Sequence, residues 1–379
     1  MRHLHIIQTL DISRSGGLVG VASLHRAMLE IGIPSRLAYV KTEKAVDIPP
    51  ESVALETVRG NRFHFGWDCS RQLGEEIERA DIVHVHGLYT YLNYVAGKWS
   101  RRGRKALIYH PHGTLAPAYL RRSRLKKALV LAAFERKNFR SLTAWRALSP
   151  VEAEQIAAYV PRAPVFVVSN GVFLPADLEA KDRPARLAVA TEGGGPKRIF
   201  LFLSRVAFVK GLDLLFEAWL ATARQRNEVE LWIAGPDFDG TADYLTRKIA
   251  EHGIENVRLL GAVSEQEKDW LLRRADVFVL PSRGEGQSSA ILEAMAYATP
   301  VLLTTKCYFP AAAKSAAGVE CTDTVEGLTE ALKRLLAMPE ADLEIMGKNA
   351  RTLIASGFDI REKVREIDAK TTSFVKGSA

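Results

Sequence analysis

The chain has 379 residues, 47% of them hydrophobic and 25% charged, with a net charge of +8. This composition is that of an ordinary globular protein with apolar material for two or three domains. It excludes a spanning helix, since no apolar run approaches the roughly 20 residues one needs, and Cys69, Cys307 and Cys321 are too scattered for a disulfide frame or a metal site.

The opening MRHLHIIQTL is too short and too quickly polar for a signal peptide, so residues 2–7 are predicted to form a first strand. Ser15-Gly16-Gly17 and a helix to about Glu30 follow; the loop lacks the full G-x-G-x-x-G spacing, which argues against a dinucleotide fingerprint. Strands are predicted at about 35–40 and 81–86, the second bringing His84 and His86 to one face. His-x-His can signal metal, but no third ligand of matching spacing stands nearby, so His84 is read as a core histidine and His86 as a strand end at the ligand cleft. A helix over 90–102 and a strand over 106–110 lead into Pro111-His112-Gly113. A helix at 121–139, a strand at 144–148, a helix at 149–160 and a strand at 165–168 then reach Ser169-Asn170-Gly171-Val172. Pro175, Pro184, Pro196 and the glycines 193–195 mark 173–196 as a linker.

A second alternating set starts at Arg198. Its first strand ends at Arg205, and Lys210-Gly211 opens the next helix; two cations five apart at such a mouth suit a diphosphate, one forking, one mobile. A strand at 229–234 precedes Asp237-Phe238-Asp239, and one at 257–263 precedes a helix over 264–274. The most informative run is 276–301, DVFVLPSRGEGQSSAILEAMAYATPV. Val277 to Leu280 reads as a buried strand, Pro281, Gly284 and Gly286 break it, and a helix starts near Ser288. Unpaired amides and the helix dipole at such a turn favour phosphate. Glu285 sits in the turn. Glu293, in the helix, has apolar neighbours almost all round, so its charge calls for a partner, and the hydroxyls of a ribose would serve. Strands at about 300–303 and 317–320 and an amphipathic tail from Gly357 complete the chain.

Glu285 and Glu293, with Pro281-Ser282, Glu-Ala-Met-Ala and Pro-Val around them, resemble the E-x7-E signature of retaining GT-B glycosyltransferases, glycosyltransferase family 4. The resemblance covers nearly the whole chain and is most specific over 204–301. It implies donor-binding roles for Gly16, Gly17, Arg205, Lys210, Gly261, Val263, Glu285, Gly286, Gln287, Ser288, Ser289 and Glu293. Arg205 and Lys210 would meet the diphosphate, Gly261 to Val263 the base and Glu293 the ribose. His112 and Glu285 would orient the sugar. Catalytic roles thus fall to His112, Arg205, Lys210 and Glu285. The chain departs from the family at Ser204, where glycine is usual, and at Gln287-Ser288, where Phe-Gly is common. UDP-, GDP- and ADP-sugars all stay open as donors. Asp237-x-Asp239 resembles an acidic turn that family members keep without metal, so neither a metal nor a cofactor is expected.

The expected architecture is α/β with two doubly wound Rossmann-like domains facing a central cleft. Residues 1–172 form the acceptor-side domain, 173–196 the linker, 197–356 the nucleotide-sugar donor domain, and 357–379 a helix crossing back. The expected reaction moves a hexosyl unit to an acceptor hydroxyl in bacterial polysaccharide or glycolipid assembly. A sugar-nucleotide 2-epimerase of the same fold is the rival enzyme. A nucleic-acid-binding protein lacks stacking aromatics or a recognisable module, and a phosphate-loop NTPase lacks its motif. The protein is expected in the cytoplasm, and the basic stretch 98–140 is expected to sit on anionic lipid and receive a glycan or lipid-linked glycan.

Overall fold

The computed structural model describes residues 1–10, 16–41, 48–57, 66–115, 120, 124–179, 181–190 and 197–376. The chain folds as two compact units, Met1–Gly171 with Ile360–Ala379, and Val172–Asp359.

The first unit carries seven strands: β1 (His3–Ile7), β2 (Ser35–Val40), β3 (Ser52–Leu55), β4 (Ile82–His86), β5 (Ala106–His110), β6 (Ala144–Ala147) and β7 (Val165–Val167), in the order β3-β2-β1-β4-β5-β6-β7. The second carries β8 (Arg198–Leu203), β9 (Val229–Ala234), β10 (Val257–Gly261), β11 (Val277–Leu280), β12 (Val301–Thr304) and β13 (Gly318–Cys321), in the order β10-β9-β8-β11-β12-β13. Strand pairing is parallel throughout both sheets. Each order reverses at one point, between β1 and β4 and between β8 and β11, and loops diverge there to leave a crevice beyond the strand ends. The Lys210 and Glu285 loops follow β8 and β11, so chain order alone brings them together at the second switch point.

Buried parallel strands usually read as unbroken apolar runs. β11 does, as does β8 after Arg198, while β9 is broken by the buried Glu230, which pairs with Lys197 at 2.8 Å; the apolar side chains of all three fill one core with the helices Leu212–Thr222 and Ser289–Ala296. β1 and β4 do not. Leu4, Ile6, Val83 and Val85 enter the core on one face of the first sheet, while the alternate positions are His3, His5, His84 and His86, all buried.

Three local readings differ. The linker stretch contains a helix, Ala185–Ala190, whose Leu187 is buried in the second core, so it belongs to Val172–Asp359. The helix expected over 121–139 is described from Arg124 and carries a π-helical turn, Leu131–Glu135, that swings Glu135 inward. Glu135 accepts there from Tyr89 N at 3.0 Å and Tyr109 Oη at 3.2 Å. β3 and the helix Trp67–Arg79 escape the sequence reading altogether. The tail forms the helix Ile360–Lys376, tied to the first unit by Arg361 to Glu30 at 2.9 Å.

Candidate active site

The loop after β8 is zipped onto the turn after β9. Val206 N donates to Pro236 O at 2.9 Å and Phe238 N to Val206 O at 2.9 Å. Phe238 is thereby placed under Arg205, whose guanidinium lies 4.7 Å from the ring centroid, a cation–π contact. Asp237 accepts from Ala242 N at 3.3 Å, and Asp239 from Phe208 N at 3.1 Å and Thr241 Oγ1 at 2.6 Å, so these carboxylates shape the turn.

Lys210 ends a single 3₁₀ turn, and Gly211 follows at φ 70°. A Cβ at Gly211 would lie 2.0 Å from Pro281 O, so only glycine lets the two loops approach this closely. Arg283 then locks them, donating from its backbone to Val209 O at 2.9 Å and through both Nη atoms to Asp213 at 2.7 Å. The outcome is an ion pair: Lys210 Nζ stands 2.6 Å from Glu285 Oε1, with the side chains 9% and 10% exposed. Lysine has three donors, and among the described residues only the one to Glu285 is engaged, leaving two for a ligand.

Gly286, Gln287, Ser288 and Ser289 are half-buried and lead into the helix Ser289–Ala296, whose N-cap Ser288 makes no side-chain cap hydrogen bond. Its first amides therefore receive no cap from Ser288, an arrangement that suits an anion. Glu293 has a protein partner that the sequence reading did not foresee. Lys268 Nζ, from the helix Glu265–Arg274, lies 3.5 Å from Glu293 Oε2 and 2.8 Å from Glu265 Oε2. Burial works against the Lys268 charge, but the two carboxylates outweigh it and hold its pKa above the usual lysine value. Gly261 is left-handed at φ 67° and its carbonyl accepts from Gly235 N at 2.7 Å. Val263 packs on the second core, and Arg186 fixes the strand end between them by donating to Leu260 O at 2.8 Å and Ala262 O at 3.2 Å.

In the first unit, Gly16 and Gly17 open the helix Gly16–Glu30; Ser15 lies outside the described residues. His112 takes a left-handed φ of 50°, rare for a residue with a Cβ. A buried glutamate absent from the sequence reading fixes the turn: Glu152 accepts from Gly113 N at 2.6 Å and Leu148 N at 2.7 Å.

His112 is also the end of a row. His5 Nδ1 to His86 Nε2 is 3.0 Å, and His86 Nδ1 to His112 Nε2 is 2.8 Å. A second row lies alongside, His3 Nδ1 to His84 Nε2 at 2.9 Å and His84 Nδ1 to His110 Nε2 at 2.9 Å. The rows stack, His5 on His84 at 4.5 Å and His86 on His110 at 4.3 Å between centroids. Burial drives His5, His84, His86 and His110 well below the ordinary histidine value. Burial, with the Arg146 charge second, brings His112 to about 3. All are neutral rings at physiological pH. His86, His110 and His112 bring ring nitrogens within 4.8 Å of one another. Both nitrogens of His86 are nevertheless spent on other histidines, and His110 Nδ1 faces the Arg146 guanidinium at 3.5 Å. The cluster is built as a hydrogen-bond network, with no lone pairs converging on a cation.

Twin doubly wound parallel sheets, with charged and glycine loops at a switch point, define a GT-B α/β enzyme. The chain belongs to the family 4 glycosyltransferases: residues 197–338 match the family of glycosyl transferases group 1, and residues 36–171 match the glycosyl transferase 4-like domain. It is 28% identical over 297 residues to the GDP-mannose:cellobiosyl-diphosphopolyprenol alpha-mannosyltransferase of Xanthomonas campestris, covering 77% of this chain and 74% of that one. Among solved structures it resembles Anabaena HepE in complex with UDP and glucose, at a TM-score of 0.77 and 18% identity over 98% of this chain and 99% of the other. It also resembles a Thermosynechococcus elongatus sucrose-phosphate synthase, at a TM-score of 0.75 and 16% identity over the whole of both chains. At such identities these two likenesses speak for the fold alone. The chain is a hexosyltransferase acting from a nucleotide-sugar.

Proposed function

We propose that the donor is GDP-mannose and the acceptor a glycan on a polyprenyl diphosphate, the substrates for which the Xanthomonas relative is named. The observation that carries the site assignment is the Lys210–Glu285 pair beside the helix N-terminus at Ser288. As the glycosidic bond breaks, its electron pair leaves with the nucleoside diphosphate. Arg205, two free donors of Lys210 and the opening amides of Ser289–Ala296 meet that growing charge. Glu285 keeps Lys210 in place and accepts from a sugar hydroxyl, Glu293 takes the ribose, and His112 orients the sugar. With the charge answered by these groups, neither metal nor cofactor is required. Retention at the anomeric carbon then follows from front-face attack by the acceptor hydroxyl, assisted by the departing phosphate.

The acceptor reading draws on a surface of the first unit. Leu125 and Leu129 are 83% and 72% exposed on the helix Arg124–Val130, among the basic residues of the stretch 98–140. The carboxylate within that stretch, Glu135, is buried, and desolvation raises it to about 7, so it offsets little of the charge. Such a face suits anionic lipid on the cytoplasmic leaflet. No described helix is long and apolar enough to cross a membrane. The test is release of nucleoside diphosphate from GDP-mannose, UDP-glucose and ADP-glucose, each with and without a polyprenyl-diphosphate disaccharide. Turnover of GDP-mannose raised by that acceptor is expected; turnover of none of the three would overturn the reading.

A further inference from the structure

The two histidine rows have ends, and the ends set their direction. In the row of His3, His84 and His110, His3 Nε2 lies 2.9 Å from Asp368 Oδ1, a carboxylate that only accepts. At the far end Arg146, a guanidinium that only donates, meets His110 Nδ1. A neutral imidazole has one donor and one acceptor. His3 therefore donates from Nε2 and accepts at Nδ1, and the same follows in turn for His84 and His110. Every ring in that row carries its proton on Nε2.

The row of His5, His86 and His112 is set by Met28. His5 Nε2 lies 3.4 Å from Met28 Sδ, a thioether that can only accept. The opposite polarity would turn an imidazole lone pair onto sulfur lone pairs. His5 thus carries its proton on Nε2, His86 Nε2 donates to His5 Nδ1, and His112 Nε2 donates to His86 Nδ1. Among the described residues nothing continues the row, and it ends with the lone pair of His112 Nδ1. The backbone that carries His112 is itself a left-handed turn held by Glu152 through Gly113 N.

We propose that Met28, His5 and His86 form a one-way relay that presents His112 to the sugar as a hydrogen-bond acceptor, so this position selects a hexose with a hydroxyl there and rejects one with a carboxylate. His5 and His86 are positioning residues, acting through His112. The relay stands on the ligand-free geometry; its reach to the sugar rests on the role given to His112 above.

The experiment labels histidine with ¹⁵N in the full chain and reads the ring-nitrogen shifts and the couplings across the N–H···N bonds, without ligand. His112 is expected with an unprotonated Nδ1 and a coupling from its Nε2 to His86 Nδ1; a protonated Nδ1 in the wild type overturns the relay. His86→Asn, whose carbonyl oxygen replaces Nδ1 as acceptor, is expected to keep the His112 tautomer, and His86→Phe to release it to a mixture. An unchanged tautomer in His86→Phe also overturns the relay. GDP-mannose and GDP-mannuronate are then titrated onto the same sample. GDP-mannose is expected to move the His112 Nδ1 signal and to bind at least about tenfold more tightly, a ratio that shrinks in His86→Phe. Turnover of GDP-mannose with that signal unmoved overturns the sugar contact while the relay survives. A correct tautomer with no GDP-mannose binding overturns the donor reading instead.

Discussion

Lys210 Nζ lies 2.6 Å from Glu285 Oε1, so the residue assigned to the diphosphate and the residue assigned to the sugar form one ion pair before any ligand arrives. The pair holds the lysine in the conformation it needs, which lowers the cost of ordering it when the donor binds. It also makes the two substitutions unequal. Lys210→Ala removes a charge whose contact strengthens in the transition state and leaves Glu285 unpaired. kcat is expected to fall on the order of 10²-fold or more, with a smaller rise in donor KM. Arg205→Ala, which leaves Phe238 uncovered, is expected to show the same split more weakly. Steady-state kinetics decide it: an effect confined to KM means that these cations hold only the ground state.

Glu293 and Lys268 should separate in the same way. Glu293→Ala removes charge-assisted hydrogen bonds worth roughly 1.5–3 kcal/mol each, so kcat/KM is expected to fall by about 10² or more. Lys268→Met leaves the carboxylate in place but removes the ammonium that stands 3.5 Å from it and steadies it. A loss of about tenfold, carried by KM, is expected there. Near wild-type kcat/KM in a folded Glu293→Ala variant would remove Glu293 from the site.

What was legible in the sequence was contiguous. Strand, turn and helix over 277–296 lie in one stretch, and the spacing of Glu285 and Glu293 travels with them. What escaped depends on lateral neighbours. Lys268 reaches Glu293 from another helix, and Glu152 reaches Gly113 across 39 positions. The histidine rows left the clearest missed signal, a His-x-His step at 3–5, again at 84–86 and again at 110–112. Each step alone is unremarkable; only the strand order β1-β4-β5 makes three of them into two rows. The helix Trp67–Arg79 went unread although Cys69, Leu73 and Ile77 repeat every four residues, because Gly74 interrupts it; the ring of Trp99 covers that glycine, and a Cβ there would come within 2.5 Å. The glycine run 193–195 belongs to a stretch outside the described residues.

The buried histidines give the fold a pH dependence. Their folded pKa values are depressed by burial, so between those values and about 6.5 the unfolded chain binds more protons than the native one. Stability is present above about pH 6.5 and is lost as pH falls below it, by up to about 1.4 kcal/mol per pH unit for each fully neutral histidine. Glu135 acts in the opposite sense, since burial raises it from 4.5 to about 7 and its neutral form favours folding at low pH. The histidines outnumber it. Urea midpoints are expected to drop steeply from about pH 7.5 to about pH 5; a flat or rising profile would mean that the rows are open to water.

The basic face is tested by flotation with vesicles, with and without anionic lipid. Binding is expected at low salt with anionic lipid and is expected to be lost near about 0.5 M salt, where surface charges are screened within a few ångströms. A variant with Arg121, Arg122, Arg124, Lys126 and Lys127 neutralised should not float. Of these, Arg121 and Arg122 lie outside the described residues, as does Tyr119 beside them, and so do the side chains of Arg124 and Lys126. Equal flotation by the variant, or none by the wild type at low salt, points to a soluble acceptor.

The most direct measurement is release of GDP from GDP-mannose in excess EDTA, for the wild type and for Lys210→Ala side by side. Full wild-type turnover without metal is expected, together with a loss on the order of 10²-fold in the variant, because the charge on the leaving diphosphate is answered by protein cations and amides. Absolute dependence on Mn²⁺ or Mg²⁺, or equal turnover by Lys210→Ala, would contradict the assignment of that charge to Lys210 and the residues around it.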